Sequence, residues 1–422
     1  MTGAAGGTGS PTDHRGRRRV VVTGVGVKTP FGQTVDDLWD GLLSGRSTAR
    51  PITLFDASEH SVGFACEVPD FDPVPYVGPK EVRRTDRAAL LGVTAAADAI
   101  AAATEAAPFD VEPLRCGVVA GSGIGGIRTL EDQVVGYAHK GPSKVGPFLV
   151  PMMMSNATAA LIAIRHGFTG PNTSVSTACA TGAHAIGEGA RLVREGMADV
   201  VVCGGTESCI TPVTIAAFAR MGALSRNPEP ERASRPFDRD RDGFVMGEGA
   251  GFVVLEPYEA AVARGVPILG EVAGYGMTCD AHHITAPVED GSGAAAAIEM
   301  ALADAGLPAS SIGHVNAHGT STPHNDSAEA AAVAKVFGPG AVPVTSNKGA
   351  IGHLIGAAGA VEAIAALLAA DRGVVPPTAN HEGTDLPVDV VAGEPREIGR
   401  APAVSTSFAF GGHNVALVLK PL

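Results

Sequence analysis

The chain of 422 residues contains little charge, few aromatic side chains and little cysteine. Charged residues make up 18% and aromatic residues 5%, with one tryptophan, whereas hydrophobic residues reach 45%. A chain of this length and composition can bury a large core, which excludes intrinsic disorder as its general state. The formal net charge of −13 argues against non-specific binding to nucleic acid, because a polyanion would be repelled overall.

Sequence features of membrane spans, metal sites and disulfide scaffolds are also missing. The longest apolar runs, such as residues 363–370, are far shorter than the roughly 20 residues that span a bilayer. The adjacent His282 and His283 have no further ligand at metal-binding spacing, so we expect no metal site. The six cysteines lack CxxC spacing, which is typical of a reduced, cytoplasmic protein: Cys66, Cys116, Cys179, Cys203, Cys209 and Cys279.

Short β-branched segments alternate with longer alanine-rich segments. Five short runs predict buried strands, at residues 20–22, 116–120, 200–202, 252–255 and 314–316. Four segments with helical apolar spacing predict helices, at residues 89–104, 182–196, 294–305 and 356–371. This alternation predicts an α/β fold with mostly parallel sheets. A faint long repeat further predicts two similar halves, 19–258 and 259–422, after a disordered polar arm over residues 1–18.

One cysteine stands out from the other five by its surroundings. Cys179 lies among small residues that allow a sharp turn from a strand into a helix. At a helix N-terminus the unpaired N–H groups stabilise a thiolate and lower its pKa, and they can form half of an oxyanion hole. The sequence leaves two interpretations open for Cys179, a nucleophile or a small buried core residue.

Two histidines occupy comparable positions in the second half. His318 follows a predicted strand, and His353 precedes a predicted helix. Imidazole suits proton transfer and hydrogen bonding to a developing oxyanion near neutral pH. Together with Cys179 these residues predict a Cys/His/His site. Lys348 is expected to pair with Glu362 if it is buried, because a buried ammonium needs a carboxylate.

Five sequence motifs occur in order along the chain. They are STACATG (176–182), ASRPFDRDRDGFVMGEGAG (233–251), NAHGTST (316–322), NKGAIGHLIGAAG (347–359) and SFAFGGHN (407–414). The set resembles β-ketoacyl-[acyl carrier protein] synthases, with the greatest similarity to the synthase II type, from about Arg19 to Leu419. This resemblance implies the thiolase-like fold, in which two duplicated halves form a five-layered αβαβα unit that dimerises.

The resemblance also implies a decarboxylative Claisen condensation in fatty-acid or type II polyketide or polyene biosynthesis. Cys179 matches the residue that accepts an acyl chain from a carrier protein. His318 and His353 match the pair that promotes decarboxylation of a malonyl extender and stabilises the enolate. Lys348 matches a fourth catalytic residue of the family, a lysine that forms a structural ion pair with a glutamate, here Glu362. No cofactor is implied, because the substrates are carried on the phosphopantetheine of the acyl carrier protein.

Further matches concern binding of the substrate and its carrier. Thr320 and Thr322 match residues that bind the phosphopantetheine arm. The backbone N–H groups of Cys179 and Phe410 match an oxyanion hole, and Phe410 matches an aromatic gate. An acidic carrier protein requires a basic docking patch on this acidic chain. The matching residues are Lys80, Arg83 and Arg84, whereas Gly222 occupies a further position that is basic in the family.

Two departures from the family pattern lie in the last motif. Ala409 replaces a usual glycine and His413 a usual threonine, so the resemblance implies the basic reaction but not the family's gating or acyl-chain preference. These changes introduce a further interpretation, in which the chain is a ketosynthase that pairs with a homologous chain-length subunit instead of forming a homodimer. Two alternatives are a non-catalytic subunit of such a pair, which the Cys/His/His set argues against, and a thiolase. A thiolase would carry a second catalytic cysteine, but the only cysteine of the second half is Cys279.

Overall fold

The computed structural model describes residues 10–422. Within this range the chain forms strands β1 to β15, at Val20–Lys28, Arg50–Pro51, Phe64–Ala65, Cys116–Gly121, Asn172–Thr173, Val200–Glu207, Gly249–Pro257, Gly270–Cys279, His314–Asn316, Pro343–Thr345, Val374–Val375, Asp389–Val390, Arg396–Glu397, Ala403–Ala409 and His413–Lys420. Helices α1 to α13 lie at Val35–Leu43, Val74–Val82, Arg87–Thr104, Ile127–Lys140, Leu149–Met153, Ala157–His166, Thr181–Arg194, Pro212–Met221, Tyr258–Arg264, Ser292–Ala305, Pro323–Phe337, Lys348–Ile351 and Ala358–Arg372.

Eleven of these strands form a sheet with internal two-fold similarity, in the order β12-β10-β9-β14-β15-β8-β1-β7-β6-β4-β5. From its centre outward, each half has two antiparallel pairings and then parallel ones: β1-β7-β6-β4-β5 on one side and β8-β15-β14-β9-β10 on the other. The halves meet through a short antiparallel pairing of β1 with β8. This arrangement confirms the thiolase-like fold with two duplicated halves.

Two helices form the layer between the halves. Helix α7 packs on β6 and β4 of the first half, and α13 packs on β14 and β15 of the second. The two helices contact each other closely at their N-terminal ends, where a Cβ added to Gly182 would lie 2.6 Å from the Ala360 nitrogen. A Cβ added to Gly359 would lie 2.8 Å from the nitrogen and Cβ of Ala183. Glycine is required at both positions because any side chain would separate the helices.

Outer helices complete the five layers. Helix α3 covers β1 and β7 together with α6 on β4, and α10 covers β8 and β15 together with α11. Among the described residues, α3 is the one helix long and apolar enough to cross a membrane by length and composition, and 67% of that window is buried inside the protein. Its apolar character is therefore accounted for by packing in the core.

All five predicted strands and four predicted helices are present, with boundaries shifted by a few residues. The expectation of mostly parallel sheets is wrong. Of the ten strand pairings in the large sheet, five are antiparallel, because β1, β7, β8 and β15 run against their neighbours. Strands β14 and β15 are joined by a three-residue turn, and such a short connection can link only antiparallel strands.

The predicted disordered arm falls partly outside the described residues, which begin at residue 10. Residues 10–18 differ from the prediction because they contact the rest of the protein. Thr12 forms a β-bridge with Arg18, and the Arg17 guanidinium lies 2.8 Å from Asp304 Oδ1 at the end of α10. A cluster of arginines facing buried or half-buried carboxylates fixes this segment, and the Gly-rich composition gave no sign of it.

Candidate active site

Cys179 lies in a tight turn between an extended segment and helix α7. The turn, Ala178–Ala180, is a short 3-10 helix, and Ala178 has a φ of 49°, a conformation that costs energy for a residue with a side chain. Thr181 holds the turn, because its hydroxyl accepts a hydrogen bond from the Thr177 N–H at 2.9 Å and donates one to the Ala178 carbonyl at 2.8 Å. The predicted strand-to-helix turn at this cysteine is therefore present, with the thiol at the start of α7.

The two predicted histidines lie beside this thiol. The Cys179 Sγ and one ring nitrogen of each of His318 and His353 lie within 4.8 Å of one another. The two imidazole rings face each other edge to face, with centroids 5.4 Å apart. All three side chains are at most 8% exposed. Residues that are 139 and 35 positions apart in the sequence thus form one buried cluster, as the motifs predicted.

Hydrogen bonds fix the ring orientation and the tautomer of both histidines. Lys348 Nζ lies 3.3 Å from His318 Nδ1 and donates to it, because an ammonium has no acceptor. The Ile355 N–H donates to His353 Nδ1 at 3.3 Å. Since Nδ1 accepts in both rings, the ring proton of each neutral imidazole is assigned to Nε2. The site therefore holds two Nε2–H donors.

Lys348 is held by the predicted partner. Its ammonium forms an ion pair with Glu362 on α13, and both side chains are at most 1% exposed. Burial raises the pKa of Glu362 to about 7, although the neighbouring ammonium lowers it. The pair links the helix of Glu362 to the ring of His318. The catalytic role of Lys348 stays a prediction.

Two buried carboxylates that the sequence analysis did not single out hold the backbone around the site. Glu329 on α11 accepts hydrogen bonds from the N–H groups of His318 at 2.8 Å and Gly319 at 2.6 Å. Glu207 accepts from the Gly123 N–H at 2.8 Å and the Gly356 N–H at 3.1 Å. An isolated glutamate within an alanine-rich helix was the available signal for Glu329.

Burial controls the protonation of the catalytic cluster. It lowers the pKa of both His318 and His353 well below the usual value, and the nearby Lys348 ammonium lowers them further. Both imidazoles are therefore neutral, as expected. Burial raises the pKa of Cys179 to about 12, so the prediction that the helix N-terminus lowers it is wrong. Desolvation of the thiol outweighs the opposing effects of the Lys348 ammonium and a backbone hydrogen bond.

A cavity of about 360 Å³ leads to this cluster. Thr320 and Thr322 line it, and their hydroxyl oxygens lie 2.9 Å apart. Phe410 also lines the cavity and lies in the turn between β14 and β15. The structure thus brings both threonines and the predicted gate residue to the cavity of Cys179. Their individual roles stay predictions.

The predicted docking residues lie outside this cavity. Lys80, Arg83 and Arg84 are all exposed, at the end of α2 and in the turn that follows it. The Arg84 guanidinium lies 4.7 Å from the centre of the Phe148 ring. Gly222 ends helix α8 and lines the cavity. The three basic side chains therefore form a charged surface segment that is available to a partner.

The Cys/His/His cluster is also the one group of described histidine, cysteine and acidic side chains close enough to ligate a common ion. A metal requires the cysteine as thiolate, and burial opposes that form here. The expectation of no metal stays a prediction.

A cysteine beside two neutral histidines, placed between two duplicated α/β halves, defines a condensing enzyme of the thiolase-like fold. Comparison with known proteins gives the family. Residues 17–261 match the beta-ketoacyl synthase N-terminal domain, and residues 269–382 match its C-terminal domain. The chain belongs to the β-ketoacyl synthase family and is an acyltransferase.

Relatives and solved structures agree with this assignment over nearly the whole chain. The 3-oxoacyl-[acyl-carrier-protein] synthase 2 of Synechocystis is 48% identical over 96% of this chain and 98% of its own length. That of Vibrio harveyi is 44% identical over 96% and 99%. The ishigamide ketosynthase/chain length factor structure has a TM-score of 0.90 at 38% identity, covering 96% of this chain and 100% of that one. The AntDE:AntF structure, a type II polyketide ketosynthase with its acyl carrier protein, has a TM-score of 0.88 at 29% identity, covering 96% and 100%.

Proposed function

We propose that this chain condenses an acyl group carried on Cys179 with a malonyl group carried on acyl carrier protein, in fatty-acid or type II polyketide biosynthesis. The observation that carries this proposal is the pair of neutral imidazoles, each with Nδ1 occupied, beside the Cys179 thiol. Such a site can stabilise an enolate without a strong base. The required groups are the protein's own side chains and the phosphopantetheine arm, so the proposal includes no further cofactor.

The first half-reaction transfers the acyl group to the enzyme. Cys179 sulfur attacks the thioester carbonyl, and the N–H groups of Cys179 and Phe410 stabilise the oxyanion. The pantetheine sulfur then leaves and takes up the proton released by the Cys179 thiol. Because burial favours the thiol over the thiolate, a free Cys179 stays protonated until an acyl donor enters the cavity.

The second half-reaction forms the carbon–carbon bond. The Nε2–H groups of His318 and His353 donate to the thioester oxygen of the malonyl group, and this stabilises the enolate that forms as CO₂ leaves. The enolate carbon attacks the acyl carbonyl on Cys179, and the Cys179 sulfur leaves and takes up a proton. The products are CO₂, the free thiol and a β-ketoacyl group on the carrier protein.

Acyl loading tests the role of the nucleophile. The Cys179→Ala variant should take up no acyl group from acyl-carrier protein, whereas the native chain should gain the mass of one acyl group in intact-protein mass spectrometry. Loading of the variant would remove Cys179 from this role. Cys203→Ala is the matched control, because Cys203 is also a buried free cysteine but is not among the residues that line the cavity.

Release of CO₂ from malonyl-carrier protein tests the two histidines. Alanine at either His318 or His353 removes one hydrogen-bond donor to the developing enolate, and loss of one such donor costs roughly a hundredfold or more in rate. Normal release by either variant would contradict the role of that histidine. Acyl loading of the same variants checks that the Cys179 turn is intact.

The basic segment at the end of α2 supports docking of an acidic carrier protein. Lys80, Arg83 and Arg84 are exposed and free of salt bridges among the described residues. Reversing the charge at Arg83 and Arg84 should raise the KM for the carrier-linked substrate and weaken its dependence on salt, since fewer charges then attract the partner. No change in either quantity would leave this segment as an ordinary solvated surface.

A second ketosynthase-type chain is part of the proposal, either another copy or a homologous chain-length subunit. Strand β5 is an exposed edge of the large sheet, and such an edge can pair with another chain. Apolar side chains are exposed on α4, α5 and α6 nearby in the sequence: Val134, Val135, Tyr137, Val150, Met153 and Ile164.

Light scattering of the chain expressed alone should give twice the chain mass for a homodimer. A monomer would favour the heterodimer, whose structures include a ketosynthase with its chain length factor from Xenorhabdus doucetiae.

A further inference from the structure

After the catalytic His318, the same cavity is lined by Thr320, Thr322 and His324, as well as by Pro323 and Asn325. Exposure increases along the series His318, Thr320, Thr322 and His324. His318 is 2% and Thr320 6% exposed, Thr322 is half-buried, and His324 is exposed. The series therefore marks a path from the reacting groups to the protein surface, and His324 lies at its outer end.

The charge of the cavity lining makes His324 unusual. Among residues 10–422, no lysine or arginine lines the cavity, and the one formally charged residue that does so is Asp280. The Asp280 carboxylate accepts hydrogen bonds from Asn414 Nδ2 at 2.7 Å and from the Val288 N–H at 3.3 Å. Among the exposed side chains of the lining, His324 is the one that can carry positive charge.

Under the proposed function, on which this inference rests, the polarity of the substrate matches that of the cavity. The acyl group and thioester must reach Cys179 at the inner end of the cavity. The phosphate of the phosphopantetheine arm lies at the opposite end of the arm, next to the carrier protein. An extended arm that passes Thr320 and Thr322 therefore brings a negatively charged group to the outer end of the series.

We propose that His324 binds this phosphate and thereby discriminates phosphopantetheine thioesters from shorter thioesters that lack it. Imidazole donates at least one N–H hydrogen bond in either charge state and attracts the phosphate further when protonated. His324 makes no hydrogen bond to another side chain among the described residues that would compete with this contact. It is a specificity residue, since its side chain is exposed whereas those of Cys179, His318 and His353 are buried.

Three acyl donors with the same butanoyl group separate this role from the others. Butanoyl-carrier protein offers protein and phosphate, butanoyl-phosphopantetheine offers phosphate alone, and butanoyl-pantetheine offers neither. For His324→Ala, the rate constant for loading Cys179 should fall about fivefold with the two phosphate-bearing donors, the size expected of one exposed charged contact. The rate with butanoyl-pantetheine should stay unchanged. His324→Lys, which keeps a cationic donor, should restore loading.

Control variants and opposite outcomes make the test decisive. His282→Ala removes another exposed histidine that does not line the cavity, and it should change none of the three rates. Alkylation of Cys179 by iodoacetamide should be equal in the native chain and His324→Ala. An equal loss with all three donors, or no loss with any, would overturn the inference while leaving the proposed function intact. Failure of the native chain to load from any donor would overturn the proposed function itself.

Discussion

His314 is a buried histidine whose ring nitrogens have no hydrogen-bond partner in the described part of the chain, and it predicts a specific dependence of stability on pH. Burial lowers its pKa from 6.5 to about 4 in the folded chain. As the pH falls below 6.5, the unfolded chain binds a proton at this position and the folded chain does not. The free energy of unfolding must therefore decrease as the pH is lowered, by about 2 kcal/mol from pH 7.5 to pH 5 for this residue alone.

The variant His314→Leu removes this proton uptake while keeping a similar volume in the core. The free energy of unfolding of the variant minus that of the native chain should increase by about 2 kcal/mol as the pH is lowered from 7.5 to 5. Urea unfolding followed by circular dichroism at several pH values measures this difference. Val315→Ala on the same strand is the control, because it removes buried volume without a titratable group and should shift stability equally at each pH. Parallel pH curves for His314→Leu and the native chain would refute the reasoning.

Two further substitutions separate stability from catalysis. Lys348→Met should abolish malonyl decarboxylation and destabilise the chain by roughly 3 kcal/mol or more, because Glu362 is left buried without its partner. Adding Glu362→Leu should restore thermal stability but not CO₂ release, since the donor to His318 Nδ1 stays absent. Recovery of activity in the double variant would contradict this positioning role. Gly182→Ala should cost about 1–3 kcal/mol of unfolding free energy in urea titrations, because its methyl group would contact the Ala360 nitrogen. Native stability of that variant would show that α7 and α13 can separate without cost.

The clustering of Cys179, His318 and His353 could be predicted from the sequence because their local motifs carry most of the information. Cys179 is flanked by small residues at a strand-to-helix turn, and His318 and His353 lie at the ends of recognisable elements. The predicted Lys348–Glu362 pair followed from the need to neutralise a buried ammonium. Each of these inferences depends on residues close in sequence or on a simple charge rule.

Features that depend on burial or on distant backbone could not be predicted. The raised pKa of Cys179 results from desolvation by the surrounding fold, which a local motif does not reveal. Glu207 receives hydrogen bonds from Gly123 and Gly356, which are 84 and 149 residues away. Helix–strand alternation does not reveal the antiparallel strands, and only the short turn at Phe410 indicates the antiparallel pairing of β14 with β15.

The close crossing of α7 and α13 has a consequence for how the enzyme can change over time. Cys179 precedes α7 in the first half, whereas Glu362 on α13 and His353 just before it belong to the second. The separation of the two helices is set by close contact of Gly182 with Ala360 and of Gly359 with Ala183, which leaves no space for a larger side chain. Variation can therefore reshape the walls of the cavity and leave the spacing of the reacting groups as it is. New acyl specificities can arise in this fold without re-establishing its chemistry each time.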